Sequence, residues 1–310
     1  MLPATAASLA VLAVLLAWPV PALLGRAGWP GRDPLVALVC WQAIGLAGGL
    51  SIVGALLVHG LAPWGSSLPE AGWAVLTSRP AADAVRGDHW VALTLAGVLA
   101  SELVGVLLLS GYRTARARRR HRALLELVVQ PAAGLPDTRL LDHPAPVAFC
   151  IPGARPLLVL SSGMVAELDE DQLAAVVAHE RAHLREHHHL LLLPFVAGEA
   201  ALPVLPAAAR AHAAVRELVE MRADDVALTT LSGAAPRRTL AQAIVAAAEG
   251  SGGAGVPSGA LAVTGSATAA RVVRLLEPPR PLSAAARWAA LVAAGLLLLL
   301  PTALLLLPAL

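Results

Sequence analysis

Four long stretches of the chain are almost free of charged residues. They cover residues 2–25, 34–58, 90–110 and 288–310, and Glu102 in the third stretch is their single charged side chain. Each stretch contains about the 20 apolar residues that a helix needs to cross ~30 Å of hydrocarbon. The pattern therefore predicts four transmembrane helices. A charged residue inside a span suggests a functional or packing role, so Glu102 is expected to face a polar partner or water.

The composition agrees with a membrane protein. Hydrophobic residues make up 57% of the 310 residues, charged residues only 14%, and the mean hydropathy is +0.69. Soluble domains carry about 25% charged residues, so a soluble globular protein is excluded. The first stretch could also be a signal peptide. It has no basic segment before it, and its apolar core is longer than that of a signal peptide, so we expect a retained span.

The placement of arginine predicts the orientation in the membrane. Residues 113–122 contain six arginines and no acidic residue, whereas the loop at residues 59–89 is slightly acidic. Arginine-rich segments next to a span stay in the cytoplasm, so we expect residues 113–287 inside and both termini outside. A basic run next to a span also anchors the protein to anionic lipid headgroups. Nothing in the composition supports nucleic-acid binding.

Three regions follow from this topology. Residues 1–112 form a three-helix transmembrane region, residues 113–287 form a cytoplasmic domain of ordinary size, and residues 288–310 form the last transmembrane helix. Within the cytoplasmic domain, residues 146–150 and 156–160 are short β-favouring runs separated by a Pro-Gly pair, which predicts a hairpin or an edge strand. A helix is expected to begin near Asp169, because Asp169 and Gln172 have the spacing of a capping box.

The predicted helix carries the sequence His-Glu-Arg-Ala-His at residues 179–183. Positions four apart lie on one helical face, so His179 and His183 can bind one Zn²⁺ ion, and Glu180 lies beside the metal as a general base. A catalytic zinc has three protein ligands and an open position for the water it acidifies. Chance would produce such a motif in roughly 0.01 sequences of this composition. The chemistry indicated is hydrolysis, with one zinc ion per chain.

The third ligand has to come from another part of the chain. Glu220 lies on a second amphipathic helix that begins after Pro206, and Asp224, one turn later, is placed to accept a hydrogen bond from a liganding imidazole. His189 is the alternative third ligand, ten residues after His179. That alternative needs a glycine where the chain has Glu186, a good helix former, so residues 187–189 are expected to be the polar end of the zinc helix.

Two further features remain open from the sequence. Residues 190–206 are apolar but interrupted by prolines, which indicates a short helical hairpin, either touching the membrane or buried in the domain. The group that stabilises the oxyanion is not evident. Tyr112 is the only tyrosine and lies at the end of a span, which leaves His212, Arg271 and Arg274 as candidates.

The chain resembles the BlaR/MecR-type family of transmembrane zinc metallopeptidases, the β-lactam signal transducers and their relatives. The resemblance rests on residues 148–153, 159–163, 178–183 and 220–224, and on three spans before the protease domain and one after it. The last two motifs are also shared with the prenyl-protease and heat-shock membrane proteases. By position, the resemblance implies zinc on His179, His183 and Glu220, with Glu180 catalytic.

The resemblance implies a mainly α-helical integral protein of the bacterial plasma membrane, with a cytoplasmic α+β gluzincin-like metalloprotease domain between the third and fourth spans. Its best-known members cleave a cytoplasmic repressor, so the expected partners are a protein substrate such as a winged-helix repressor, the lipid bilayer and a separate sensor protein. Penicillin-sensing members continue beyond their last span, and the given sequence has no lysine for a Ser-x-x-Lys site, so antibiotic binding is not expected. The alternatives are a membrane quality-control protease and a non-catalytic signalling scaffold.

Overall fold

The computed structural model describes residues 2–65, 67–77, 85–132, 137–203, 205–251 and 258–306. It is mostly helical, with one small sheet. The helices are α1 (Leu2–Ala17), α2 (Pro19–Arg26), a 3₁₀ helix (Pro30–Arg32), α3 (Pro34–Leu61), α4 (Leu68–Thr77), α5 (Gly87–Leu125), α6 (Ser162–Glu167), α7 (Glu170–Arg185), α8 (His188–Ala201), α9 (Pro206–Leu228), α10 (Pro236–Ser251), α11 (Ser258–Leu276) and α12 (Ala284–Leu306). The strands are β1 (Val129–Pro131), β2 (Thr138–Leu141), β3 (Ala148–Ile151) and β4 (Leu157–Ser161).

Four helical segments are long and apolar enough to cross a membrane. They are Ala4–Arg26, Pro34–Leu61, Gly87–Leu125 and Ala284–Leu306, which agrees with the four predicted spans by length and composition. Residues 307–310, the end of the last predicted span, lie outside the described residues. The side of the membrane on which each end lies stays a prediction.

Two of these segments differ in detail from the prediction. The first is divided into α1 and α2 at Trp18, because Pro19 lacks an N–H group and disfavours helical geometry at the residue before it. The third continues for 39 residues without a break, about 58 Å at 1.5 Å per residue, and carries the whole arginine cluster on its C-terminal part. Arginine is a good helix former, so the end of the apolar run does not end the helix.

The chain divides into two units, and the first consists of Met1–Ser110, Leu193–Val215 and Leu282–Leu310. Its core joins α1, α3 and α12, with Leu9, Val58 and Leu305 packed in one cluster. At the start of α3, the Asp33 side chain accepts a hydrogen bond from the Val36 amide at 3.2 Å and pairs with Arg287 at 2.8 Å. The residues of the predicted apolar hairpin belong to this unit from Leu193 onward.

The second unit consists of Gly111–Leu192 and Arg216–Pro281, and contains the sheet. The strand order is β1-β2-β4-β3, with β4 antiparallel to β3 and parallel to β2. The predicted hairpin is therefore confirmed as β3 and β4, whereas β1 and β2 were not predicted. Every residue of β4 is buried, as expected for a strand with neighbours on both edges. Gly163, just after β4, lies so close to the loop before β3 that a Cβ atom there would be 2.0 Å from the Pro144 carbonyl oxygen.

Helix α7 packs across this sheet and begins as predicted. The Asp169 carboxylate accepts a hydrogen bond from the Gln172 amide, and the Gln172 side chain accepts one from the Asp169 amide, which completes the capping box. Leu158 and Leu160 of β4 pack against Val177 of α7.

The expectation that residues 187–189 continue the zinc helix is wrong. Helix α7 ends at Arg185, His187 adopts a left-handed backbone with φ of 52°, and a separate helix, α8, begins at His188. The left-handed conformation is uncommon outside glycine, but histidine adopts it more readily than most residues. The helix therefore breaks without the glycine that the sequence argument required.

Candidate metal centre

Three side chains converge at the predicted zinc site. One turn of α7 separates His179 from His183, and their Nε2 atoms lie 3.1 Å apart. Helix α9 brings Glu220 against both: its Oε2 lies 3.4 Å from Nε2 of His179, and its Oε1 lies 3.6 Å from Nε2 of His183. The structure thus brings together the three residues that the sequence singled out as ligands.

This triangle of donor atoms has the dimensions of a zinc site. A tetrahedral ion with ligands at about 2.0–2.1 Å requires donor atoms about 3.3–3.4 Å apart, and the observed separations bracket that value. Two imidazoles and one carboxylate are a set that zinc accepts in hydrolytic enzymes. The Glu220 side chain is 40% exposed, so the group opens toward solvent on that side. The residues therefore fit a catalytic zinc ion.

The ion pair of Asp224 and Arg271 lies against the Nδ1 side of the His179 ring. Its Nδ1 atom lies 2.9 Å from Oδ1 of Asp224, although the alignment falls short of a full hydrogen bond. Asp224 is 1% exposed and is clamped by the guanidinium of Arg271 with two hydrogen bonds of 2.7 and 2.8 Å. Arg271 also reaches Oε2 of Glu220 at 3.0 Å. Arg271 on α11 therefore ties together two of the site's carboxylates.

His183 has its own support, which the sequence argument missed. Its Nδ1 atom lies 2.8 Å from Nδ1 of His188, and Nε2 of His188 lies 3.3 Å from Oε2 of Glu186. Arg222 in turn binds both carboxylate oxygens of Glu186. One tautomer set satisfies all these contacts: His183 donates from Nδ1 to His188, and His188 donates from Nε2 to Glu186. This arrangement leaves the Nε2 lone pair of His183 free for a metal.

Charges and burial set different pKa values for the two histidines. Burial disfavours the imidazolium form of both. At His183 it lowers the pKa to about 4, so that the ring is neutral. At His179 the carboxylates of Asp224 and Glu220 outweigh burial and raise the pKa to about 9. The pKa of Glu220 falls to about 2, because its contacts with His179 and Arg271 outweigh its own burial. The centre thus presents one neutral imidazole and an ionised carboxylate.

Glu180 lies beside the three ligands and has a distinct environment. Burial raises the pKa of its carboxyl group above the ordinary value. The neighbouring side chain is Cys150 of β3, whose thiol hydrogen-bonds with Glu180. Burial, followed by the charge of Glu180, raises the pKa of Cys150 to about 12, so that the thiol stays protonated. A carboxylate with a raised pKa next to a metal site is suited to accept and return a proton.

The remaining candidates have other contacts. His189 is not part of the three-ligand group found among the described residues. Arg274 pairs with both carboxylate oxygens of Asp225, and His212 pairs with Glu199, while Tyr112 accepts a hydrogen bond from Arg116. Of the oxyanion candidates, Arg271 is the one that contacts a predicted metal ligand. The unusual Arg181 within the motif is exposed on α7, which explains why the helix tolerates it.

The sequence assigned no role at the metal centre to His188 or to Cys150. His188 reaches His183 only because His187 turns the chain, and Cys150 reaches Glu180 only because β3 packs against α7. Cys150 lies in the motif of residues 148–153, and for His188 the signal was the run of three histidines at residues 187–189. A run of three adjacent histidines does not show which of the three side chains faces the metal centre.

A comparison with protein-family models identifies the family of the chain. Residues 114–278 match the family model described as peptidase family M48, and this range holds every residue of the metal centre. A comparison with solved structures finds no match for the chain. Peptidases of this family are typically zinc-dependent. Since the match spans more than half of the 310 residues, the chain belongs to peptidase family M48.

Proposed function

We propose that the protein is a membrane-embedded zinc endopeptidase that cleaves a cytoplasmic or membrane-proximal protein. The observation that carries the proposal is the donor triangle of His179, His183 and Glu220 with Glu180 beside it. The family match supports peptide hydrolysis, and the four long apolar helices support a place in the membrane.

Each residue of the centre has a role in peptide hydrolysis. His179, His183 and Glu220 would hold the zinc ion, which supplies Lewis acidity to polarise the peptide carbonyl and acidify water. Glu180 accepts the proton of the attacking water and delivers it to the leaving amine. Asp224 and His188 fix the tautomers of the two liganding imidazoles, so that each ring presents Nε2 to the metal.

The sheet offers a way to bind the substrate backbone. Strand β3 lies at one edge of the described sheet, and its Cys150 contacts Glu180. An extended peptide that pairs with an edge strand gains main-chain hydrogen bonds. A cleft of about 520 Å³ lies along this strand, lined by β3 and by basic residues of α5, including Arg118 and Arg120. We infer that the enzyme prefers an extended segment with acidic side chains.

We further propose a regulatory role of the BlaR/MecR type, with a cytoplasmic repressor as substrate. The arrangement of apolar helices before and after the peptidase domain supports it, together with the arginine cluster at the end of the third apolar segment. In this topology the peptidase domain is cytoplasmic, both termini are outside, and the protein lies in the bacterial plasma membrane. The stimulus then arrives through the external loop, through the helix bundle or through a separate sensor protein.

Membrane-protein quality control is a second candidate, because a specific observation favours it. Residues Leu193–Val215 belong to the unit of the apolar helices, and within that unit the guanidinium carbon of Arg210 lies 5.7 Å from the ring centre of Trp18. A peptidase domain whose chain returns to the apolar helices is suited to substrates close to the bilayer.

One experiment separates these functions. New protein N-termini are mapped by mass spectrometry in the bacterium that encodes the chain, comparing the wild type with Glu180→Ala at equal expression. Regulatory proteolysis predicts that the termini lost in Glu180→Ala belong to a soluble DNA-binding protein. Termini lost across many membrane proteins would replace the repressor with the quality-control function. An identical set of termini in both strains would overturn the peptidase proposal.

A further inference from the structure

A second convergence of metal-binding side chains lies far from the peptidase motif in the sequence. His59 lies in the last turn of α3, and Asp88 and His89 lie in the first turn of α5. One donor atom from each can be chosen so that all three atoms lie within 4.8 Å of one another. The function proposed above uses none of these residues.

The two helices approach each other closely at this point. A Cβ atom on Gly60 would lie 2.6 Å from the Leu93 side chain and 3.1 Å from the His89 carbonyl oxygen, so only glycine permits this packing. On the same side, the rings of Trp64 and Trp90 meet edge to face with centres 5.9 Å apart. These contacts fix the ends of α3 and α5 relative to each other and hold the three side chains together before any ligand binds.

The donor atoms have separations that suit a metal ion. Nε2 of His59 lies 3.4 Å from Oδ2 of Asp88, and Nδ1 of His89 lies 4.0 Å from Oδ1 of Asp88. A tetrahedral ion needs about 3.3–3.4 Å, so small side-chain rotations close the site. The rings of His59 and His89 stack with centres 5.3 Å apart and an interplanar angle of 29°. The stacking keeps the two imidazole rings next to each other and beside Asp88.

Arg86 contacts two of the three side chains, and a metal ion has to displace it. Nδ1 of His89 accepts a hydrogen bond from the Arg86 amide at 3.0 Å, so the ring proton is on Nε2 and a metal ion at Nδ1 has to replace this hydrogen bond. The Arg86 guanidinium also pairs with Oδ1 of Asp88 at 3.2 Å. Its side chain is 77% exposed, so the pair is solvent-screened and a divalent ion can displace it.

We propose that His59, Asp88 and His89 form a second metal site that binds a divalent transition-metal ion of the zinc class. Two imidazoles and one carboxylate favour zinc, cobalt, nickel or copper over magnesium and calcium, which prefer all-oxygen sites. Asp88 is exposed, and water fills the remaining coordination positions, so the ion exchanges with the medium. In the proposed topology the site lies outside the membrane, where an external metal ion reaches it directly.

The test uses the full chain in detergent, with the peptidase centre removed by the double substitution His179→Ala and His183→Ala. Isothermal titration with Zn²⁺ is expected to show one ion per chain, and Co²⁺ is expected to give a visible absorption spectrum of a nitrogen-and-oxygen site. Adding His59→Ala and His89→Ala should weaken the affinity at least about 100-fold, because one protein ligand remains. Adding His143→Ala, an exposed histidine outside both groups, should leave the affinity unchanged.

One further variant keeps the proposal falsifiable. Asp88→Asn retains both imidazoles and tests the carboxylate, and it should weaken Zn²⁺ binding without altering the elution volume or helical circular dichroism of the chain. The proposal is overturned if the double substitution binds no Zn²⁺, or if the affinity survives the loss of His59 and His89. Neither result affects the peptidase proposal, because that proposal depends on His179, His183 and Glu220 in the otherwise unmodified chain.

Discussion

Nδ1 of His183 lies 2.8 Å from Nδ1 of His188, so one predicted zinc ligand is held by a buried imidazole of the following helix. His188 is 2% exposed and passes the contact on to Glu186 and Arg222. His179 is supported in a comparable way by Asp224 and Arg271. Each histidine of the motif thus contacts a polar side chain that is linked, through a carboxylate, to an arginine.

The first prediction concerns His188. His188→Ala removes the group that fixes the ring of His183, and we expect zinc affinity or peptidase activity to fall about 10- to 100-fold. His189→Ala is the matched control, because His189 is adjacent and lies outside the three-ligand group. Zinc retention and hydrolysis are measured on both purified variants. If His189→Ala strips the zinc while His188→Ala retains it, the ligand assignment is wrong.

The second prediction separates a ligand from its support. Glu220→Gln should lose zinc, because a neutral amide replaces a carboxylate ligand. Asp224→Asn should retain the ligand set but weaken zinc binding about 10- to 100-fold. It should also lower the melting temperature, since the mostly buried Arg271 loses one of its two carboxylate partners. Metal analysis and thermal unfolding of both variants provide the test. Equal zinc loss with no change in melting temperature would contradict the assigned roles.

The third prediction concerns Cys150. Its pKa of about 12 leaves almost no thiolate at pH 8, and the thiolate is the form that reacts with iodoacetamide. The folded chain should therefore be alkylated at Cys150 at least about 100-fold more slowly than the denatured chain, whose cysteine has a pKa near 8.5. Peptide mass spectrometry distinguishes Cys150 from Cys40. Equal rates in the folded and denatured chains would show that the thiol does not lie buried against Glu180.

The fourth prediction concerns topology. A reporter fused after Arg122 should give a cytoplasmic signal, and a reporter fused near Thr77 should give an external one, because the arginine cluster stays inside. An alkaline phosphatase fusion, active outside, and a fluorescent protein, active inside, give opposite signals at each position. Signals reversed at both positions would place the peptidase domain outside the cell.

Local patterns in the sequence identified much of the fold and the site. The long apolar runs, the capping box of Asp169 and Gln172 and the histidines four residues apart are all encoded within a few turns of chain. Glu220 was predicted from a second motif, residues 220–224, on a helix of its own. Each of these features depends on contacts between residues close in sequence or on a recognisable set of ligands.

The features that the sequence did not reveal depend on tertiary packing. Strands β1 and β2 are short. Strand β2 pairs with β4, as in the register of Thr138 with Leu158, and β1 in turn pairs with β2. Helix α7 ends where His187 adopts a left-handed backbone, and the helix propensities of the residues there, such as Glu186, do not predict this end. Arg271 lies 47 residues from Asp224, and no periodic pattern links the two. The second metal group likewise depends on the packing of α3 against α5 at Gly60.

The most direct test of the account compares tightly held zinc and hydrolysis in three purified proteins after gel filtration. The wild type should retain one zinc ion per chain and cleave a peptide substrate. Glu180→Ala should retain the zinc and lose hydrolysis by about 10²- to 10⁴-fold, because the general base is removed while the three ligands remain. His179→Ala should lose both. A Glu180→Ala protein that cleaves at the wild-type rate, or a wild type that hydrolyses peptide after its zinc is removed by a chelator, would contradict the account.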